Sequence, residues 1–592
     1  MSTPSTGSLR QEDSTGPSTS PEPAQARPRP RRRMILGGAL VRWGELTIVV
    51  TVLAVLAALV YGTHVRDGGF MMDDWSNAAK TRFLAACCGT GATGQGSGYL
   101  AQVQNLLADG PAAYHIGLPV LIPFSFFAFR PAIAPHLALA VALGVLVSTC
   151  MYAVLRSFRV APVHAALMAA LVLVFPWSDS NRLWAMASYN QLAVVFWLVG
   201  LLVALRGLRR SGRRAVLLHA VALVLYAAGI AVYELVAGAV LVTAAFYLHR
   251  DAGGNVAWKG MALRWAADVA VTGVTLLAVV AVALPRFPIP WDERITFAGV
   301  VVDEALTLLG FAAVPFAQPS RWLVVAALVA VLLAGAVVRD RLPAQDPDRG
   351  RLGHWLAVAA AGVLVLGAGY ALALLGGYGR PLSAGIENRV NLVSGAGYVM
   401  IIYASAAVAG HLAVRAARRP PAWATAVPVA AALVIGAGYV GLARESAAYY
   451  DRSFAEQMRV LRAVRDGGPY PAAALIFPFD YPSFTAVGVP VFAWIWDLPP
   501  ASKIILDDPS PAAFPVLPGT TFSCADHSVL PSNPHGLGEH QRGRYGNTFF
   551  VDVPTGRTVR LDDYAECEAA VAAFQPGPLM EGRDCDLAGP GV

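Results

Sequence analysis

Two adjacent carboxylates, Asp73 and Asp74, precede Trp75 in the stretch MMDDW, a few residues after the apolar run LTIVVTVLAVLAALVYG. A carboxylate near a bilayer centre costs about 2.5–3.5 kcal/mol on insertion scales, so the pair belongs at an interface or in a wet cavity. Neighbours on a helix point about 100° apart, and on a strand they face opposite sides. The two groups are therefore not expected to share one proton as a dyad. One is expected to face a cavity as a base, while the other holds an arginine, a backbone donor or a cation. The plainer alternative is a solvated helix boundary with an interfacial tryptophan.

Further groups with chemical potential lie between other apolar runs. GGYGRPLSAGIENRVNL sets Arg380, Glu387, Asn388 and Arg389 in one loop, and PIPWDERIT offers Asp292, Glu293 and Arg294. WSDSNRLWAMASYNQ brings Asp179, Asn181, Arg182, Trp184, Tyr189 and Asn190 close together, a mixture that suits sugar binding or an aromatic belt. AAGIAVYELVAGAV buries Tyr233 and Glu234 in apolar sequence, where a carboxylate calls for a partner: substrate, or an arginine in a salt bridge. His115, in AAYHIGLPVLIP, is an interfacial histidine whose plainer role is structural.

These groups need a scaffold, and composition names its class. The chain of 592 residues is 56% hydrophobic and only 14% charged, against about a quarter charged in soluble domains. Apolar windows approaching the ~20 residues that span a bilayer fall at 46–62, 133–155, 162–177, 186–206, 215–232, 235–249, 266–284, 322–338, 355–376, 392–413 and 423–442. The expectation is a polytopic α-helical membrane protein with about eleven spans. Alternate loops are basic (RSFR, RGLRRSGRR, HRDAGGNVAWKGMALR, RDRLPAQDPDRGR, VRAARRPP), which puts the N-terminus in the cytoplasm and the C-terminus outside. The net charge of +7 is thus a topology signal, not a nucleic-acid footprint.

Domain limits follow. Residues 1–45, rich in Ser, Thr and Pro, read as a disordered cytoplasmic tail, and 46–442 as the membrane domain, with external loops 63–132 and 285–321. Residues 443–592 alternate strand-like runs with Pro, Gly and Asn turns and read as an extracytoplasmic α/β or β-rich domain. Cys87 and Cys88 fall in the first external loop, Cys524, Cys567 and Cys585 in the C-terminal domain, and Cys150 in a span. Disulfides are expected on the oxidising side, with Cys585 pairing with Cys567 or Cys524. No Cys-x-x-Cys or His pair points to a metal site, no phosphate-loop motif points to ATP-driven transport, and no Gly-x-Ser-x-Gly elbow marks a serine hydrolase.

A cytoplasmic N-terminus, one span, and then MDDW opening a long external loop resembles the GT-C membrane glycosyltransferases. The resemblance covers the overall layout: ten or more spans, a large first external loop with interfacial helices, and an extracytoplasmic C-terminal domain. It implies a polyprenyl-phosphate-linked sugar as donor, a glycan, lipid or protein of the cell envelope as acceptor, and inversion at the transferred sugar. Arabinosyl and mannosyl transfer are the family's natural examples. The carboxylate of the first external loop, Asp73 or Asp74, would be the general base. Arg389 and Arg380 would hold the donor phosphate, and Trp75, Tyr233, Glu234, Glu387, Asn388, Arg182 and His115 are substrate-binding candidates. The resemblance names no particular cofactor, and a divalent cation stays open. The competing expectations are a lipid-linked sugar transporter or flippase, and a non-enzymatic envelope-assembly protein. The glycosyltransferase reading puts the chain in the plasma membrane as a multi-pass protein, with the active site and C-terminal domain extracytoplasmic.

Overall fold

The computed structural model describes residues 33–83, 99–108, 116–251, 258–283, 291–317, 320–343, 346–376, 382–418, 420–494, 496–532 and 541–574. His115, Arg380, Cys87, Cys88 and Cys585 lie outside them, as does most of the expected tail. Contacts divide the chain into residues 1–48 and a body of residues 49–592. The described residues contain ten helices long and apolar enough to cross a membrane.

The body starts within α1 (Arg33–Asp67), followed by α2 (Asp73–Phe83), α3 (Tyr99–Ala108) and α4 (Leu118–Phe129). Two acidic residues open α2, and Lys80 and Arg82 close it, each sign at the end of the helix dipole that favours it. Next come α5 (Ile133–Ser157) and α6 (Pro162–Leu173). With only 12 residues, α6 rises about 18 Å, short of a ~30 Å hydrocarbon core. Pro162 sets its first turn, and Pro176 bars its continuation. The chain then runs as irregular backbone through a 3-10 turn (Pro176–Ser178) and the short α7 (Ser180–Leu183) before α8 (Ser188–Gly207).

α9 (Gly212–Val232) breaks at Tyr233, which is extended, and the chain resumes as α10 (Val236–Leu241) and α11 (Thr243–Asp251). Two of the eleven expected spans, 162–177 and 235–249, are therefore shorter helices. α12 (Trp258–Ala283) is followed by α13 (Trp291–Ala313), where an external loop was expected; its Ile295–Ala313 portion has the length and composition of a span. α13 packs against the irregular loop and its neighbours. Phe311 stacks on Trp177, the Tyr439 hydroxyl donates to the Ala312 carbonyl at 2.6 Å, and the Tyr398 hydroxyl to that of Ala305 at 2.9 Å.

α14 (Arg321–Arg341), α15 (Pro347–Gly376), a 3-10 segment (Ile386–Asn391) and α16 (Leu392–Ala416) complete the bundle. The last of the long apolar helices, α17 (Ala422–Asp466), does not end at residue 442. Its 45 residues extend about 68 Å, twice what a bilayer core needs, so the helix passes directly into the C-terminal domain.

That domain is α/β. Strand β1 (Leu475–Phe479) is followed by the β2 (Phe484–Ala486) and β3 (Val489–Pro490) hairpin, then α18 (Leu498–Leu506) and β4 (Ala512–Ala513). β5 (Thr521–Ala525), β6 (Ser528–Ser532) and β7 (Gly543–Arg544) form a second sheet; β8 (Thr548–Asp552), β9 (Thr558–Leu561) and α19 (Tyr564–Ala573) close the fold. The main sheet runs β4-β1-β8-β9, with β1 parallel to β4 and β8, and β9 antiparallel. Buried Phe477, Phe479, Phe550 and Phe574 fill its core. Cys524 on β5 is bonded to Cys567 on α19, with Cα atoms 6.0 Å apart. The expected pairing with Cys585 is therefore corrected: the core that packs α19 on β5 sets these two thiols face to face.

The bridge closes a 43-residue separation, worth on the order of 4 kcal/mol in the chain-entropy account. Non-reducing peptide mapping should recover a Cys524–Cys567 linked pair, and Cys567→Ser should lower the thermal midpoint of the C-terminal domain.

Candidate functional site

The site is built around residues 174–187, irregular backbone that is almost wholly buried. Buried peptide groups need partners, and here side chains supply them. Asn391 Nδ2 donates to the Trp177 carbonyl at 2.8 Å, while Asn388 Oδ1 accepts from the Ser180 N–H at 3.1 Å. Asn181 Nδ2 donates to the Ser178 and Arg389 carbonyls, each at 3.1 Å. Arg182, fully buried, gives Nε to the Tyr61 hydroxyl at 3.0 Å and a terminal nitrogen to the Phe175 carbonyl at 2.6 Å. Its guanidinium is committed to the fold.

Asp74 belongs to the same structure. It is fully buried, and its two oxygens accept from the Met71 and Met186 N–H groups, both at 2.9 Å. Asp74 thereby closes the first turn of α2 and pins it to the irregular loop. Burial drives its carboxyl well above the usual range; the two N–H groups oppose the rise, and Asp73 adds to it. Asp73, one position away, is half-buried. The pair is thus divided as adjacency requires, with Asp74 holding backbone donors. Trp75 turns inward and donates its indole N–H to Gln457 Oε1 of α17 at 2.7 Å, tying α2 to the long helix.

Beside Asp74 stands Trp184, and the Arg389 guanidinium lies over the Trp184 ring, 5.2 Å from its centroid. Arg389 is 3.6 Å from Glu387 and meets the Tyr233 hydroxyl. Burial raises Tyr233 above its ordinary range, against the pull of Arg389, so this phenol stays a donor at neutral pH. Glu234 is buried next to it at the α9–α10 break. The structure therefore gathers Asp73, Asp74, Trp184, Arg389, Glu387, Tyr233 and Glu234 around one loop, while Asn388 and Arg182 serve the loop's own hydrogen bonds.

Several groups here escaped the sequence reading. His64, buried in the last turn of α1, sets Nδ1 2.6 Å from Asp451 Oδ1 and Nε2 2.8 Å from the Leu183 carbonyl. It locks α17 to the irregular loop. The C-terminal domain also reaches in. The Ile386 N–H donates to the Gly488 carbonyl at 2.9 Å, where a Cβ on Gly385 would lie 2.3 Å from that oxygen. Gly385 has φ +72, so both space and conformation require glycine. Asp497, in VFAWIWDLPP, is buried and acts electrostatically on Asp73. Its signal in the sequence was a carboxylate following two tryptophans, which no periodicity marks.

Among the described residues no three His, Cys, Asp or Glu side chains converge as a metal centre would require. No family model matches the sequence, and no curated protein aligns with it.

Asp179 supplies a pH test. Burial raises its carboxyl to about 6, opposed by Asn388, which donates to Oδ1 at 2.8 Å, and by Arg182. The folded state thus binds this proton more tightly than the unfolded chain, so the contribution is present below pH ~4 and is lost as pH rises through about 6. Thermal midpoints in detergent should show this component between pH 4.5 and 7.5 in the wild type, and Asp179→Asn should remove it.

Proposed function

We propose that the chain is an extracytoplasmic, inverting membrane glycosyltransferase that takes a sugar from a polyprenyl-phosphate carrier, with Asp73 as general base and Arg389 as the donor-phosphate ligand. The observation that carries the reading is that Asp74, one position from the half-buried Asp73, stands beside the Trp184 ring over which the Arg389 guanidinium lies.

An acceptor hydroxyl, with a pKa far above neutrality, attacks well only as a positioned carboxylate takes its proton. Asp73 is suited to this because its neighbour already carries the backbone hydrogen bonds. As the bond from the anomeric carbon to the phosphate oxygen breaks, negative charge gathers on the lipid phosphate. A permanently charged, planar guanidinium stabilises that charge best. Arg389 is held by its ring contact and by Tyr233, which leaves little reorganisation for the reaction to drive. Glu387 and Glu234 flank the arginine and would orient sugar hydroxyls or the guanidinium itself. Arg182 has no substrate role in this scheme.

The extracytoplasmic placement rests on the alternating basic loops and on a disulfide that suits an oxidising compartment. That arrangement requires α6 with the irregular backbone after it, and α10 with α11, each to complete a crossing, and α13 to pack beside the loop without adding one, since any other count would reverse the sides of the basic loops. The acceptor is a cell-envelope glycan, lipid or protein, and arabinose or mannose are the sugars to try first.

Asp73→Asn should lower transfer from a polyprenyl-phosphate sugar by about 10²–10⁴-fold with donor binding intact, as expected on loss of a general base. Asp74→Asn should instead lower the thermal midpoint, because its buried oxygens hold the α2 turn. Arg389→Ala should weaken donor binding, measured by titration with a polyprenyl phosphate. Full turnover by Asp73→Asn would refute the assignment of the base and favour a transporter or assembly role.

A further inference from the structure

α2 and α18 lie side by side in the same direction. At their far ends Arg82 pairs with Asp507 at 2.7 Å; at their near ends Asp73 and Asp497 feel each other's charge. Two helix N-termini thus meet beside the candidate base, each carrying a carboxylate. Asp497 is 1% exposed. Its Oδ1 accepts from the Leu498 N–H at 2.7 Å, but Oδ2 is buried with no hydrogen-bond partner among the described residues. Such an oxygen is costly to bury unless something satisfies it.

Immediately upstream, the rings of Trp494 and Trp496 stack at 5.1 Å and 10°. Trp496 is 46% exposed, and the Trp494 indole N–H is buried and without a partner among the described residues. A large flat apolar face is therefore offered next to an unsatisfied acceptor and an unsatisfied donor. A sugar ring meets all three needs: its C–H face lies on an aromatic face, and its hydroxyls both donate and accept. Hydrocarbon would cover the rings but leave Asp497 Oδ2 and Trp494 Nε1 unpaired, so a bilayer surface fits less well.

We propose that Trp494, Trp496 and Asp497 form the acceptor subsite, which binds a saccharide with one ring on Trp496 and a hydroxyl held by Asp497 on the Asp73 side. The proposal rests on the glycosyltransferase reading and assigns the acceptor of that same site to a carbohydrate rather than a lipid or protein. It gives the C-terminal domain a direct part in substrate choice.

The test uses the full chain in lipid nanodiscs with two soluble probes, an α-manno-oligosaccharide and an α-arabino-oligosaccharide. Saturation-transfer NMR and calorimetry read binding without turnover. At least one probe should bind, Trp496→Ala should weaken it by about tenfold or more, and Trp496→Phe should restore most of it. Asp497→Leu should weaken binding as well. Tyr564→Ala, at an exposed aromatic of α19, should leave probe binding unchanged.

Failure of both probes to bind, or equal binding by wild type and Trp496→Ala, would overturn the subsite. So would quenching of Trp496 fluorescence by brominated lipid, which would make it a bilayer anchor. Probe binding that depends on Trp496, together with no transfer from any polyprenyl-phosphate sugar, would support the subsite while defeating the catalytic reading.

Discussion

The site depends on a stretch of irregular backbone kept away from water. Residues 174–187 form only short helical turns, which leave many of their peptide groups without backbone partners, and burial makes every unpaired one costly. The surrounding structure meets that demand from several directions: His64 from α1, Asp74 from α2, Asn388 and Asn391 from the segment before α16, and Arg182 from within the loop. Polar side chains that would be anomalous in a membrane bundle are here the partners of a backbone that could not otherwise be buried.

The same hydrogen bonds bring the candidate site residues together. Asp74 reaches Met186 and so draws the start of α2 against the loop, which sets the direction of Asp73. Asn181 holds the Arg389 carbonyl, and Trp184 on the same loop meets the guanidinium. A carboxylate and an arginine more than 300 residues apart in sequence share a neighbourhood because both are fastened to one loop. The C-terminal domain completes the arrangement through α17, which needs no hinge because the helix that crosses the bundle also carries the domain.

Much of the scaffold was legible in the sequence. Hydropathy marks nine of the long helices, since crossing length and apolar composition are local properties. That strands recur through residues 475–574 was legible from alternation and turn residues, while the choice of α/β over β-rich was not. What misled was equally local. The run at 162–177 has a span's composition, but Pro176 halts its helix, and the helix at 291–313 opens with Asp292, Glu293 and Arg294 and carries Asp303 and Glu304, charges enough to resemble a loop. The partner of Cys567 was also beyond reach, because strand and helix packing, not spacing, sets which thiols meet.

The sequence by itself determined that Asp73 and Asp74 could not act alike, since adjacent side chains diverge on any regular backbone. It also placed them at the head of the segment that follows the first span. Only the tertiary structure shows that Asp74 is the one that holds backbone donors. The deciding partner is a peptide N–H 112 residues away, at Met186, and no local pattern encodes it. The roles of His64, Arg182 and Asp497 were hidden for the same reason. A polar side chain's role depends on what it satisfies when buried, and that partner exists only once distant segments are packed together.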